Sequence, residues 1–481
     1  MISKFVREQK RYTQQDLCSI LECTESEVVG YIRKLKEYSV LKAVKASNLQ
    51  KDLSELQEED IEIADVEAGE NVYLYVFTFV GVIVVVGRVL KCYPKYILSK
   101  ENPTKELQQI LKVLEKYNSK EQIVRMFNDS SESQSFNLLA VLLFLLQDYF
   151  ENGVYTNTED VIESNGSGEI LWERTINETF TLLSNNRPYY TDLRTKRRVS
   201  DEFDYFKRLH EFVVTRASKE LIDADLLDLF EITEVDVSGE ELDNFGDVDY
   251  ILYRIENELN TQFNTRKQLV LKTLYAYIDH SGNLYDTDCL SIFGTNSFNL
   301  VWEHVCADIM DNQLERPLGA LKLPVPLKPE YDRTTKLIDL IEKPEWTITG
   351  KTANDTLIPD LITISESENG CDFIIFDAKY YNAKLEANVQ PEGQPGIESI
   401  TKQYLYQLAY QKFIKDHDFA TVRNCFLLPT EVDYVMDKGE TKLYMLEGLG
   451  LQNIKVRFLP AALAYAHYLS GRKMDIDKLN L

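Results

Sequence analysis

The sequence is poor in the side chains that bind transition metals. Its five histidines (His210, His280, His304, His417 and His467) form no HExxH pair. Its seven cysteines (Cys18, Cys23, Cys92, Cys289, Cys306, Cys371 and Cys425) include no CxxC. Neither a zinc hydrolase nor a structural zinc site is expected. An odd number of scattered cysteines suits reduced thiols better than a disulfide framework. No run reaches the roughly 20 apolar residues of a membrane-spanning helix. The most apolar stretch, VYLYVFTFVGVIVVVG at residues 72–87, is rich in Val, Tyr and Phe and carries Gly81 in its middle. It reads as two buried strands joined at a bend. The N-terminal residues lack the apolar segment of a secretory signal, so no membrane partner and a cytoplasmic location are expected. Positive charge is also scarce: 53 Lys and Arg stand against 78 Asp and Glu, a net charge of −25. That balance repels DNA and anionic membranes at long range, so any DNA contact has to be local or borrowed from a partner. TGKT at 349–352 imitates the end of a phosphate-binding loop, but Glu345 stands where the motif needs glycine, and this chain is not expected to hydrolyse nucleotide alone.

What is present is a long chain of ordinary globular composition. Its 481 residues, 44% hydrophobic and 27% charged, are enough for about three domains. The patterning predicts a multidomain α+β protein. Residues 1–60 read as a winged-helix-like domain whose first 45 residues form three short helices, with Thr24 and Glu27 as a capping box and Arg33, Lys34 and Lys36 on the exposed side. A DNA-reading role and a protein-docking role are equally compatible with that pattern. Residues 61–104 form a β-rich region after an acidic linker, and 105–285 a mainly helical linking domain with a polar interruption around 165–176. Residues 286–481 alternate helix and strand as a separate α/β domain. TDLRTKRRV at 191–199 is the clearest basic cluster, a solvated loop or a phosphate contact through Arg194, Lys196, Arg197 and Arg198.

The chemistry is concentrated in LIPDLITISESENGCDFIIFDAKYY at 357–381. Two strand-length apolar runs flank Asn369-Gly370, a strong hairpin turn signal. Side chains alternate along a strand, so Asp377 and Lys379 share a face, and the paired strand brings Asp360 beside them. Isolated buried charges cost several kcal/mol, so such a cluster persists only if its charges compensate one another or bind something. Two carboxylates on rigid strands suit a hard cation such as Mg²⁺, with Asp360 and Asp377 as ligands and Lys379 orienting water or stabilising developing charge. A solvated charged hairpin edge is the plain alternative.

Pro359-Asp360 followed by Asp377-Ala378-Lys379 resembles the PD-(D/E)xK nuclease core. The resemblance implies a further acidic residue on a preceding helix, for which Glu303 in NSFNLVWEHVCADIM is the candidate third metal ligand. It also implies that Gln403, and less directly Gln407 and Tyr410, of ESITKQYLYQLAYQKFI face the site. Together with NGSGEILWERTI at 165–176, these segments resemble in their order the LlaJI-type restriction endonuclease subunit, which is related to McrC. That resemblance implies a Mg²⁺- or Mn²⁺-dependent nuclease acting on double-stranded DNA with a McrB-like AAA+ GTPase, the GTP being used by the partner. It also makes the strands of 72–97 the expected docking region. A standalone DNA-repair or defence nuclease and a non-catalytic DNA-binding or assembly scaffold are the competing functions.

Overall fold

A computed structural model describes residues 1–45, 73–118, 137–156, 158–185, 187–200, 204–280, 284, 290–367 and 370–481. The acidic linker and Asn369 lie outside the described residues. The chain divides into two compact units, one gathering residues 2–83, 88–129 and 292–481 and the other Met1, 84–87 and 130–291. Helices and several sheets are mixed throughout, and no described helix is long and apolar enough to cross a membrane.

In the first unit the chain opens on a strand, Ile2–Arg7, where a helix is expected. This strand pairs in parallel with Arg88–Tyr93, a partner more than eighty residues away that no local periodicity reveals. Helices Gln14–Leu21 and Glu25–Glu37 follow, the second capped as expected by a hydrogen bond from the Thr24 backbone N–H to the Glu27 carboxylate at 2.9 Å. Arg11–Tyr12, Leu41–Lys45 and Tyr73–Phe77 then form a three-stranded sheet. Strand Val80–Val85 begins after a break at Thr78-Phe79, and Gly81 lies inside it instead of at the bend. Gly81 is held at φ 140°, and a Cβ there would meet the Phe293 carbonyl oxygen at 2.1 Å; one on Gly294 would meet that of Val80 at 2.2 Å. Glycine is therefore needed because two backbones approach too closely for any side chain. Phe77, Phe79, Val80, Val82, Ile83, Val84 and Val85 are fully buried. The apolar side chains expected to offer a docking face are core residues.

The C-terminal part of this unit carries a five-stranded sheet ordered Leu361–Ser367, Gly370–Ala378, Thr421–Thr430, Ile454–Pro460 and Met436–Thr441. The outer pairs are antiparallel and the inner ones parallel. Helix Ile397–Asp416 makes the parallel crossover and buries Tyr406, Tyr410 and Phe413 against Phe373 and Ile375. Helix Phe298–Ile309 also packs on strand Gly370–Ala378, and its fully buried Trp302 donates its indole N–H to the Leu427 carbonyl at 3.3 Å. TGKT lies in an exposed two-stranded hairpin, Glu345–Trp346 with Lys351–Thr352.

The second unit is built on helices Leu138–Asn152, Tyr205–Asp223, Val248–Thr261 and Thr265–Asp279. The Arg266 guanidinium grips the Asp148 carboxylate through two hydrogen bonds of 2.8 and 2.7 Å. The helical pattern expected across this region is interrupted more widely than the sequence indicates. Short strands run from Thr158–Ser164 to Arg194–Ser200, too polar to show an apolar alternation. The basic cluster is thus a strand, not a loop. Arg194 already donates to Ser164 Oγ at 2.7 Å and pairs with Glu178.

His210, fully buried on helix Tyr205–Asp223, accepts the Tyr155 backbone N–H at 2.9 Å through Nδ1, which requires the neutral ring. Burial pushes its pKa from 6.5 down to about 4, outweighing the opposing charge of Asp148. A folded-state pKa below the unfolded value means that protonation favours unfolding. Stability is therefore complete above pH 6.5 and falls as the pH drops towards 4. The loss reaches about 3 kcal/mol. Denaturant midpoints measured across this window should show a steeper acid decline for the wild type than for His210→Phe.

Candidate active site

Strands Leu361–Ser367 and Gly370–Ala378 form an antiparallel hairpin with Leu361 opposite Phe376. Phe373, Ile375 and Asp377 alternate onto one face, and Asp377 stands at the strand end where the apolar core gives out. Asp377 is only 3% exposed. Asp360, immediately before the partner strand, accepts the Ala378 backbone N–H at 2.9 Å through Oδ2. Its charge also acts on the neighbouring Asp377 carboxyl. The Lys379 ammonium lies 2.8 Å from Asp377 Oδ1. The hairpin thus brings Asp360, Asp377 and Lys379 together as their spacing predicts.

Electrostatics explains what this convergence costs. Burial, and then the neighbouring Asp360, push the Asp377 pKa well above the usual carboxylate range, with Lys379 opposing them. Lys379 is desolvated as well, yet the charges of Asp377 and Asp360 raise its pKa and keep it cationic. Glu303, half-buried beside Trp302 on helix Phe298–Ile309, is lifted to about 7 by burial and by the charge of Asp360, while Lys379 and Asn299 pull it back. Three carboxyl groups and one ammonium therefore share a field, and two of the carboxyls resist ionising together.

Gln403 is placed differently from the other candidates. It is fully buried and donates its side-chain amide to the Ile375 carbonyl at 2.8 Å, bracing the strand two residues before Asp377. The Gln407 oxygen accepts from the Asn424 amide at 2.7 Å and the Gln452 backbone N–H at 3.0 Å, and Tyr410 is fully buried in the core. Two positioning residues carry no sequence motif. Tyr406 donates its hydroxyl to the Ile358 carbonyl at 2.9 Å and so ties down the loop that carries Asp360. Asn312 accepts the Ile362 N–H at 3.1 Å on the other side of Asp360. Only the contacts identify them, because each bonds backbone far away in the chain.

Among the described residues, no three His, Cys, Asp or Glu side chains already surround one ion position. Mg²⁺ does not demand that: it binds through one or two carboxylates and leaves its other positions to water and phosphate. Asp360 and Asp377, brought to the ends of two paired strands, are an all-oxygen pair that fits such a cation.

Comparison with known proteins puts this chain among the restriction endonucleases. The model of the LlaJI restriction endonuclease family matches residues 79–326 and 328–455, and the chain belongs to that family. The type II restriction enzyme BsuMI component YdjA of Bacillus subtilis (strain 168) is 26% identical over 420 residues, which span 84% of this chain and 83% of that protein. Among solved structures, a half-complex from a tetradecameric assembly of Thermococcus gammatolerans McrB AAA+ hexamers with bound McrC aligns over 98% of this chain and 99% of the matched chain. Its identity is 12% and its TM-score 0.39. A cryo-EM structure of the Thermococcus gammatolerans McrBC complex aligns over 63% of this chain and 84% of the other, at 13% identity and a TM-score of 0.25.

Proposed function

We propose that this chain is the DNA-cutting subunit of a restriction system, a Mg²⁺- or Mn²⁺-dependent endonuclease with a PD-(D/E)xK core. The observation that carries this is the contact of Asp360, Asp377 and Lys379 at the ends of two paired strands in a member of a restriction endonuclease family. Asp360 and Asp377 would hold the cation, with Glu303 as the third carboxylate. A bound divalent cation supplies positive charge to a phosphoryl oxygen as negative charge builds there. Lys379 donates hydrogen bonds to the attacking water or to a non-bridging phosphate oxygen, and its raised pKa keeps it charged for this. With the cation bound, Glu303 would give up the proton that its raised pKa lets it hold near neutrality. Gln403 and Tyr406 act through the backbone they bind. The helix pair and three-stranded sheet of residues 11–77 support a winged-helix-like reading of the N-terminal region.

The partner follows from charge and family. A chain of net charge −25 grips double-stranded DNA poorly on its own, and a McrB-like AAA+ GTPase would bring the DNA to it. Plasmid cleavage by the purified chain is expected to be negligible and to rise by about two orders of magnitude or more when such a GTPase and GTP are added. Specific cutting by the lone chain without nucleotide would instead identify a standalone nuclease.

A further inference from the structure

We propose that Lys42, on strand Leu41–Lys45, and Lys95, in the turn after strand Arg88–Tyr93, form a phosphate-binding subsite that holds the DNA backbone next to the scissile position. The inference rests on the nuclease reading above. A cavity of about 310 Å³ opens beside Lys379 and is lined by Gln9, Lys42, Thr78, Lys95, Asn299 and Glu303. Strand alternation puts Lys42 there: Leu41 and Ala43 point into the core, so the residue between them points away from it.

Lys95 is fixed more tightly. Its ammonium lies 4.8 Å from the centre of the Tyr380 ring and 5.7 Å from that of Tyr381, the two residues that follow Lys379. It also donates to Gln9 Oε1 at 2.9 Å. Its backbone N–H donates to Glu8 Oε2 at 3.2 Å, and the same Glu8 carboxylate accepts the Tyr380 hydroxyl. The N-terminal segment is thus built into the wall of the cleavage site.

The lining makes the ligand an anion. Three lysines, Lys42, Lys95 and Lys379, line one concavity in a chain that is otherwise strongly acidic. Two carboxylates, Glu8 and Glu303, line it as well, and Glu8 is already engaged with Tyr380 and the Lys95 backbone. Like charges facing one cavity repel until an anion enters it. The amides of Gln9 and Asn299 add neutral donors of the kind that complete a phosphate site. Because the cavity is continuous with Lys379, the anion it takes is a phosphodiester one step along the strand from the bond to be cut. A free nucleotide offers the same chemistry, and the test separates the two.

The test is fluorescence anisotropy of the full chain with a short labelled duplex in Ca²⁺ buffer across a salt series. Lys42 is the decisive position because it is half-buried on a strand whose packing its side chain does not fill. Lys42→Gln should weaken binding about tenfold at low salt and reduce the slope of log Kd against log salt by about one. Lys42→Arg should restore both, and Lys95→Gln should move them in the same direction. Affinity and slope unchanged in Lys42→Gln would overturn the proposal. Loss of GTP binding with unchanged duplex binding would also overturn it and give the cavity to free nucleotide. Persistent cutting by Asp377→Ala would refute the nuclease reading separately, because the anisotropy slopes judge the subsite without any cleavage.

Discussion

Asp377→Ala is expected to lower DNA cleavage by the assembled complex at least about a thousandfold, equivalent to about 4 kcal/mol of lost transition-state stabilisation. The fold should not suffer. Asp377 is buried, resists ionisation and fills none of the apolar core beneath it, so its removal relieves an electrostatic cost without opening a cavity. Its thermal midpoint should therefore equal or exceed that of the wild type. Lys379→Ala should be equally inactive, because it removes the ammonium 2.8 Å from Asp377 and leaves that carboxyl without its counter-charge. Glu303→Gln should lose only about ten- to a hundredfold, since it keeps the side chain's shape and deletes a single ionisable group. Single-turnover cleavage of plasmid DNA checks all three. A loss of tenfold or less in both Asp377→Ala and Lys379→Ala would remove these residues from the chemistry.

Withdrawal of divalent cations should be as damaging. Burial and the neighbouring Asp360 hold the Asp377 carboxyl well above the usual carboxylate range in the protein alone. A divalent cation between the two carboxylates would offset that cost and turn the pair from a liability into a binding site. Excess EDTA should therefore reduce cleavage to background, and Mg²⁺ or Mn²⁺ should restore it. Ca²⁺, with a larger and looser coordination shell, should support DNA binding far better than cutting. Robust cleavage in EDTA would refute a two-carboxylate mechanism, whatever the mutants showed.

The legible part of the site was the part carried by local pattern. Asp360, Asp377 and Lys379 declare themselves because a hairpin places residues at fixed spacing side by side, and both apolar runs were long enough to read as strands. Glu303 came from the resemblance to the nuclease core, which implies an acidic residue on a preceding helix. Gln403 was correctly set on the helix that covers the strands, but its amide bonds the Ile375 carbonyl, and helical periodicity does not say which backbone group a side chain meets. Tyr406, Asn312 and Lys95 were illegible for the same reason: each acts across a long stretch of sequence. The fold followed the same rule. The capped helix at Glu25–Glu37 was readable from Thr24 and Glu27, whereas strand Ile2–Arg7 exists because Arg88–Tyr93 pairs with it. The polar strands of 158–200 lack the alternation that marks a half-buried sheet.

The most direct measurement is an anomalous difference map from crystals of this chain grown with Mn²⁺ and a short DNA duplex. A peak between the Asp360 and Asp377 carboxylates, with a DNA phosphate beside it and the Lys379 ammonium within hydrogen-bonding distance of that phosphate or its water, is the predicted result. Mn²⁺ absent from these two carboxylates in a preparation that cuts DNA would contradict it.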